Sequence, residues 1–201
     1  SDKVSSYIKT SGSAVTRSAD VITGSGFIYS DAVNADANYS SGTTYALATR
    51  VTYSGSIWES LQNTNLNHQP DTSPTWWVLV GPDNKHAALD SSVSTVSSNA
   101  GELILVVKPG AINSCGLVDI DGTVVEFGMT DVTDGFIFNQ TIGLASADIY
   151  NWYDYFFVSP LLDLKRTQVI FYNLPEQYTD PIVSIKISNG TDLAKLALAA
   201  F

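Results

Sequence analysis

Apolar residues in this chain come in short runs separated by turn residues, and no window shows sustained 3.6-residue periodicity. The longest runs are about six residues, far below the roughly 20 that a membrane-spanning helix needs. Short alternating runs suit β-strands, in which successive side chains point to opposite faces. The pattern therefore predicts a mainly β chain without a transmembrane helix.

The 201 residues suffice for one large β domain or two smaller units. Hydrophobic residues make up 44% of the chain and aromatic residues 11%, which is enough for a substantial core. Cys115 is the single cysteine, so no intrachain disulfide can form. The fold must therefore be held by packing alone.

The charge balance is acidic, with 20 Asp and Glu against 10 Lys and Arg, a net charge of −10. The basic residues are scattered, and a phosphate backbone would be repelled. We therefore expect no nucleic-acid partner, and an acidic surface that serves solubility or meets a basic or uncharged partner.

Residues 1–42 are rich in Ser, Ala, Gly and Asp, and "VITGSGFIYS" is their one clear strand candidate. Such composition favours an extended arm that docks on a neighbour. The first ten residues contain no apolar segment, so we expect no signal peptide. Because no initiator Met is present, we expect a chain that is trimmed or part of a longer one.

Residues 43–82 change character and predict a small three-stranded module. "TRVTYSGSIWES" alternates cleanly around a Ser54-Gly55 turn, which indicates a hairpin. "TWWVLV" supplies a third strand, and Gly81-Pro82 ends it, since Pro cannot continue a sheet ladder. So small a sheet needs an aromatic core, because aromatic side chains bury the most area.

Residues 83–201 begin with "DNKHAALD", which predicts one or two helical turns with Asp83 as a possible N-cap. Strand patterns then recur in "ELILVVK", "GLVDI", "TVVEF", "DGFIFNQ", "WYDYFFV", "TQVIFYNL" and "IVSIKIS". In the last of these, Val183, Ile185 and Ile187 share one face. About seven strands with one apolar face predict an antiparallel, jelly-roll-like β-sandwich.

Two Gly dipeptides in this region predict turns. Asp121-Gly122 lies between "GLVDI" and "TVVEF" and is the strongest short hairpin signal in the chain. Asn189-Gly190 predicts a second turn, between "IVSIKIS" and "DLAKLALAAF". We therefore expect a hairpin at each dipeptide.

The stretch from residue 43 to residue 90 resembles a phrase of bacteriophage tail-associated proteins. There, a small chitin-binding-like module of the carbohydrate-binding type 5/12 fold leads into Gly-Pro-x-Asn-Lys/Arg-x-Ala-x-Phe-Asp. The matching residues here are Gly81, Pro82, Asn84, Lys85, Ala87 and Asp90, with Leu89 where an aromatic is usual. The opening "SYIKTSGSAVTRSAD" is similar to a second recurrent phrase of phage tails.

This resemblance implies a virion component of the tail tip, baseplate or fibre, present in several copies and in contact with other virion proteins. It implies no catalysis and no cofactor. In sugar-binding members, an exposed aromatic follows a phrase equivalent to Trp58-Glu59-Ser60. Here Gln62 or Asn63 stands at that place, so the usual sugar platform is replaced.

The adjacent tryptophans Trp76 and Trp77 must point to opposite faces of their strand. One can fill the module core with Tyr53 and Trp58. The other points outward, and an exposed indole favours contact with the adjacent domain, another subunit or a glycan.

The sequence contains no Gly-x-Ser-x-Gly motif and no phosphate-binding loop, and His68 and His86 lack zinc spacing.

Residues 109–164 hold carboxylates but no Lys or Arg. Paired carboxylates could hydrolyse glycosides, and clustered ones could bind calcium. Turn or solvated roles are favoured, and we expect no enzyme and no bound metal. The carboxylates considered are Asp119, Asp121, Glu126, Asp131, Asp134, Asp148 and Asp154.

Two functional hypotheses follow. The first is a non-enzymatic virion structural protein that makes assembly contacts, with a homo-oligomeric state suggested by analogy. The second is a module on the phage tail that binds a host surface glycan during attachment. Its candidate carbohydrate contacts are Trp76, Trp77, Tyr39 and Tyr53.

Overall fold

The structure is a computed structural model that describes residues 26–90, 92–144, 152–153 and 165–201. Antiparallel strands dominate it, which confirms the prediction of a mainly β chain. The strands are β1 (Gly26–Ser30), β2 (Thr44–Tyr45), β3 (Arg50–Tyr53), β4 (Ser56–Ser60), β5 (Asn65–Leu66), β6 (Trp77–Pro82), β7 (Ser97–Lys108), β8 (Ser114–Asp121), β9 (Val124–Asp131), β10 (Gly135–Gly143), β11 (Gln168–Tyr172) and β12 (Ile182–Ala200). A 3₁₀ turn spans Ala87–Leu89.

The 19-residue strand β12 organises the larger of the sheets. On one side it pairs with β7 along both of its halves. On the other side its first half pairs with β9 and its second half with β8. Strands β1, β10 and β11 extend this sheet by pairing with β7, β9 and β8 respectively.

The prediction of a hairpin at Asp121-Gly122 is wrong. Strands β8 and β9 both run antiparallel to β12, so they run in the same direction and do not pair with each other. The dipeptide joins two segments of one bent path, and the Thr123 N–H donates to the Ser188 carbonyl of β12 at 2.7 Å.

Asn189-Gly190 does not form the predicted turn either. Strand β12 passes through it, with a bulge where residues 189–192 lie opposite Gly101 of β7. Both Gly101 (φ 77°) and Gly190 (φ 63°) have left-handed backbone, which non-glycine residues rarely adopt. A Cβ on Gly101 would lie 3.2 Å from the Gly190 carbonyl oxygen. These glycines therefore bend neighbouring strands at one level of the sheet.

The bend folds the sheet over on itself, and the core lies between the two halves. The side chains of Phe127 on β9 and Phe171 on β11 stack with centroids 4.5 Å apart, although these strands pair in different halves. Val183, Ile185 and Ile187 are at most 1% exposed, as their alternation predicted. One cluster of buried residues draws on both halves, so a single folded sheet makes the sandwich.

The small module matches its predicted strands. Strands β3 and β4 form the hairpin around Ser54 and Gly55, both with positive φ, and β6 adds the third strand. Strands β2 and β5 form a separate two-stranded sheet beside it. Strand β6 ends at Pro82, as expected for a residue without a backbone N–H.

The described part of the N-terminal arm bonds to this chain's own sheets. Gly26–Ser30 pairs with β7, and Tyr39 bonds through its N–H to the Thr52 carbonyl of the module at 2.9 Å. The division at residues 42 and 82 stays a prediction. Most of the predicted strand "WYDYFFV" lies outside the described residues.

The bend leads to a prediction about Gly122, where an added Cβ would lie 2.6 Å from Ile187 Cγ2 and 3.2 Å from the Ser188 carbonyl oxygen. Ile187 is fully buried, so neither atom can move cheaply. We expect Gly122→Ala to lower the free energy of unfolding by about 1–3 kcal/mol in urea denaturation. Gly116→Ala is the matched control on β8, since its Cβ would meet nothing within 4 Å. Equal midpoints for the two variants would contradict the bend.

Candidate functional site

The tryptophan pair defines the aromatic centre of the small module. Trp77 is 1% exposed and forms the module core with Tyr45 and Val51. Its indole N–H donates to the His68 carbonyl at 2.7 Å, and its ring meets Tyr45 edge-on at 5.3 Å. Because no face of this indole reaches the surface, Trp77 cannot stack on a sugar and is removed from the candidate carbohydrate contacts.

Trp76 is the half-buried member of the pair. Its indole stacks on the imidazole of His68, with centroids 3.9 Å apart and an interplanar angle of 12°. His68 belongs to the polar loop of the same module, so the outer indole is partly covered within the module itself. Trp76 remains the better placed of the two tryptophans for a ligand.

The two candidate tyrosines are also half-buried. Tyr39 meets Tyr53 edge-on, with centroids 5.6 Å apart and an interplanar angle of 85°. The Tyr39 ring also packs against the rings of Tyr45 and Trp77 in the module core. Perpendicular rings do not make a flat row, so Tyr39 and Tyr53 act mainly as a rim around Trp77.

Residues 83–86, which we call the joint, fix the module on the sandwich. This contact was not predicted from the sequence. Asn84 is the second residue after the end of β6, and its amide nitrogen donates to the carbonyls of Val33 at 2.7 Å and Ser98 at 2.9 Å. Its amide oxygen accepts the Ser98 N–H at 2.8 Å. Asn84 is one of the residues matched in the Gly-Pro-x-Asn phrase, and its place two residues after Pro82 was the available signal.

Asp83 and His86 form the second part of this joint. Asp83 is 4% exposed, and its carboxylate accepts the Asn34 amide at 2.9 Å and the His86 backbone N–H at 3.1 Å. The His86 imidazole bonds to the same carboxylate and lies 4.1 Å, between centroids, from Phe27 of β1. A Cβ on Gly55 of the hairpin turn would touch that imidazole at 3.1 Å. His86 is thus held between module and sandwich.

The predicted helical turn at 83–90 is a short 3₁₀ turn. It begins at Ala87 with His86 in the N-cap position and no side-chain cap. Asp83 instead accepts N–H groups from the turn that precedes it, through both its carboxylate and its backbone carbonyl. Ala87, Ala88 and Leu89 are buried, which anchors the turn against the sandwich core.

The electrostatics of the joint centre on Asp83. Burial alone would raise the pKa of this carboxyl, but the hydrogen bonds and charge of His86, with the Asn34 amide, outweigh it. The pKa of Asp83 therefore lies below its ordinary value of 3.8. The carboxylate is ionised and fully engaged at neutral pH.

Three of the carboxylates that were candidates for catalysis or metal binding have ion-pair or hydrogen-bond partners. Asp121 lies 3.1 Å from Lys195 and Glu126 lies 3.1 Å from Lys186, across adjacent strands. Asp131 accepts the Thr133 N–H of a turn at 2.8 Å. Among the described residues, no group of three or more His, Cys, Asp and Glu side chains could hold a metal ion. Asp148 and Asp154 lie outside the described residues.

The thiol of Cys115 is buried in the sandwich core at 1% exposure. This burial raises its pKa to about 12. A thiol with so high a pKa is a poor nucleophile and metal ligand, since both roles need the thiolate. Cys115 is therefore a packing residue.

An apolar feature on the surface of the module is the aliphatic strip, which we define as Val78, Leu79 and Val80 of β6. These side chains are 43%, 56% and 46% exposed. Strand β6 lies at the end of the order β3-β4-β6, so within the described part of the chain no strand pairs with its other edge. Three consecutive exposed aliphatic residues on a free edge are unusual in a protein that acts alone.

No described helix is long and apolar enough to cross a membrane.

No family model and no curated protein matches the chain. It is similar to solved structures of an F5/8 type C domain from Bacteroides fragilis, of chitosan-binding module 1 derived from a Paenibacillus chitosanase/glucanase, and of a pectin-binding carbohydrate-binding module. The identities are 9%, 10% and 10%, and the TM-scores 0.38, 0.34 and 0.27. The matches cover 57%, 57% and 58% of this chain and 77%, 80% and 77% of the others. Likenesses this distant assign no function here, and the resemblance to phage tail proteins stays a prediction.

The joint leads to a prediction about pH. Because the folded pKa of Asp83 is lowered, its carboxylate stabilises the joint above pH 3.8, and this contribution is lost as the pH falls from there through the folded pKa. We expect the gap in melting temperature between wild type and Asp83→Asn to be widest above that value and to shrink below it. Thermal melts followed by circular dichroism from about pH 6 to about pH 2.5 would measure the gap.

Asp71→Asn is the matched control, because Asp71 lies exposed on the polar loop of the module. Its variant should follow the wild-type curve throughout. A gap for Asp83→Asn that stays constant across the whole range would show that the Asp83 charge does not hold the joint.

Proposed function

We propose that this chain is a non-enzymatic structural protein of a bacteriophage tail, baseplate or fibre, and that its small module makes contacts with neighbouring proteins. The observation that carries the proposal is the aliphatic strip on the free edge of β6. Exposed apolar side chains grouped on an edge strand favour an interaction site, because covering them removes apolar area from water. A free edge also offers unpaired backbone groups to a partner strand.

The rigid mounting of the module supports an assembly role. Asn84 makes three hydrogen bonds between the end of β6, residue 33 and residue 98, and Asp83 adds the contact with Asn34. These bonds fix the direction in which the strip points relative to the sandwich. A part that joins subunits in a particle needs such a fixed direction, whereas a tethered binding module does not.

The tail setting rests on the resemblance of residues 43–90 and of the opening segment to phage tail phrases. The non-enzymatic part is supported by the partners of the polar groups that were candidates for chemistry. Asp83 and His86 hold the joint, and Asp121 and Glu126 are paired with lysines. Each therefore has a structural use that accounts for its position.

We expect Leu79→Lys to exclude this chain from phage particles, because a charge in the strip would oppose burial of the contact. Particles released from cells that carry the variant gene would be purified and probed by immunoblot. Ile170→Lys is the matched control, since Ile170 is 67% exposed on the edge strand β11. Circular dichroism melts would show that both variants fold. Absence of the wild-type chain from particles, despite its presence in the lysate, would refute the proposal.

A second candidate function is glycan binding through Trp76, with Tyr39 and Tyr53 beside it. The half-exposed indole of Trp76 favours it, since aromatic faces with nearby polar groups hold sugars. The Gln62 amide lies close by and donates to the Thr75 carbonyl at 2.8 Å. This candidate ranks second because Tyr39 and Tyr53 are perpendicular to each other, Tyr39 packs against the core, and Trp76 is stacked on His68.

If the second candidate is right, Trp76→Ala should abolish binding to a glycan that the wild type retains on an array. Tyr172→Ala is the control, because Tyr172 is a 70% exposed aromatic residue on strand β11 of the sandwich. Binding that survives Trp76→Ala, or no binding by the wild type, would remove this candidate.

A further inference from the structure

We propose that the aliphatic strip pairs with the same strip of a second copy of this chain. In this arrangement β6 of each copy adds to the module sheet of the other, antiparallel, around a two-fold axis at Leu79. The inference rests on the proposed assembly function and names its partner and its surface. The result is one six-stranded sheet shared by two modules.

The backbone limits where such pairing can occur. At the start of the strand, the N–H groups of Trp76 and Trp77 are both bonded to the Ser73 carbonyl, at 2.9 and 3.1 Å. At the other end, Pro82 has no N–H to offer, and the Asp83 N–H is bonded to the Gly55 carbonyl at 2.9 Å. The part of β6 that can pair with a further strand is therefore residues 78–82, five residues long, and it is bounded at both ends.

The sequence of this edge is complementary to itself. Pairing around Leu79 places Leu79 opposite the same residue of the second copy and Val78 opposite Val80. Val80 is the bulged residue where β6 meets β4, so the pair at Leu79 is the most regular of the set. Cross-strand aliphatic pairs stabilise antiparallel sheets, and no polar side chain would be buried.

Charge favours a second copy at this place. Two chains that each carry a net charge of −10 repel each other over most of their surfaces. The edge strand carries no charge, and Glu59, which pairs with Val78 in the register of β4 and β6, is already bonded to Arg50 at 2.9 Å. Two copies can therefore meet along β6 without bringing unpaired carboxylates together.

The size of the contact predicts that it is weak. A strand pair of about five residues buries well under the ~1,000 Å² expected of a stable interface. We expect the free chain to dimerise with a dissociation constant weaker than about 1 µM. In a particle that holds several copies, the high local concentration would keep the contact closed.

Cross-linking tests the arrangement directly. In an antiparallel pair, directly opposed Cα atoms lie about 4.5 to 5.5 Å apart, which is within the range of a disulfide. Leu79→Cys should therefore form a covalent dimer under mild oxidation. Ile170→Cys, on the edge strand β11 of the large sheet, should stay monomeric, and the native Cys115 is too buried to interfere.

Sedimentation velocity over about 1 to 200 µM completes the test. The wild type should shift from monomer to dimer, Leu79→Lys should need at least about tenfold more protein, and Ile170→Lys should match the wild type. A wild type that is monomeric throughout, or Leu79→Cys that fails to cross-link, overturns the second copy as partner. If Leu79→Lys is still excluded from particles in that case, the assembly function stands and the strip binds a different protein.

Discussion

The bend across β7, β12 and the β8–β9 path is the constraint on which the sandwich depends. Without a disulfide, the two halves of the large sheet can cover each other only if neighbouring strands turn at the same level. Gly101 and Gly190 provide left-handed backbone there, and Gly122 leaves room for Ile187. The apolar faces of both halves then meet in one core, in which Phe127 and Phe171 stack. Loss of the bend would expose both faces to water.

The joint at residues 83–86 transmits this rigidity to the module. Asn84 and Asp83 use side chains to bridge segments that are 49 to 51 residues apart in sequence, on the side of Asn34 and Val33. Such bonds are strong where water is excluded, and Asp83 is almost fully buried. Gly81-Pro82 ends β6 and sets the direction in which the chain leaves it. The side-chain amides of Asn84 and Asn34 then hold the chain in that direction. The module is thus part of the same body as the sandwich.

Local features of this fold could be predicted from the sequence, whereas non-local ones could not. The hairpin at Ser54-Gly55 was accessible, because its strands are adjacent and its turn has a recognised pattern. At Asp121-Gly122 and Asn189-Gly190 the same kind of signal misled, since glycine permits both a turn and a bend within a strand. Whether such a glycine forms a turn or a bend depends on which distant strand pairs with the segment. A short stretch of sequence does not contain that information. Likewise, alternation placed Trp76 and Trp77 on opposite faces, but only the packing of Tyr45 and Val51 decides that Trp77 is inside.

The distribution of side chains in the module argues for protein contact over glycan contact. A sugar platform presents aromatic faces to solvent and keeps aliphatic residues inside. In this module Trp77 and Tyr45 are buried, and Trp76, Tyr39 and Tyr53 are half-buried. Val78, Leu79 and Val80, by contrast, are exposed along an edge strand. Aliphatic side chains bind other apolar side chains well and sugars poorly, since they lack the electron-rich face that meets sugar C–H groups. The aromatic residues therefore stabilise a small sheet, and the sheet displays an edge that another strand can complete.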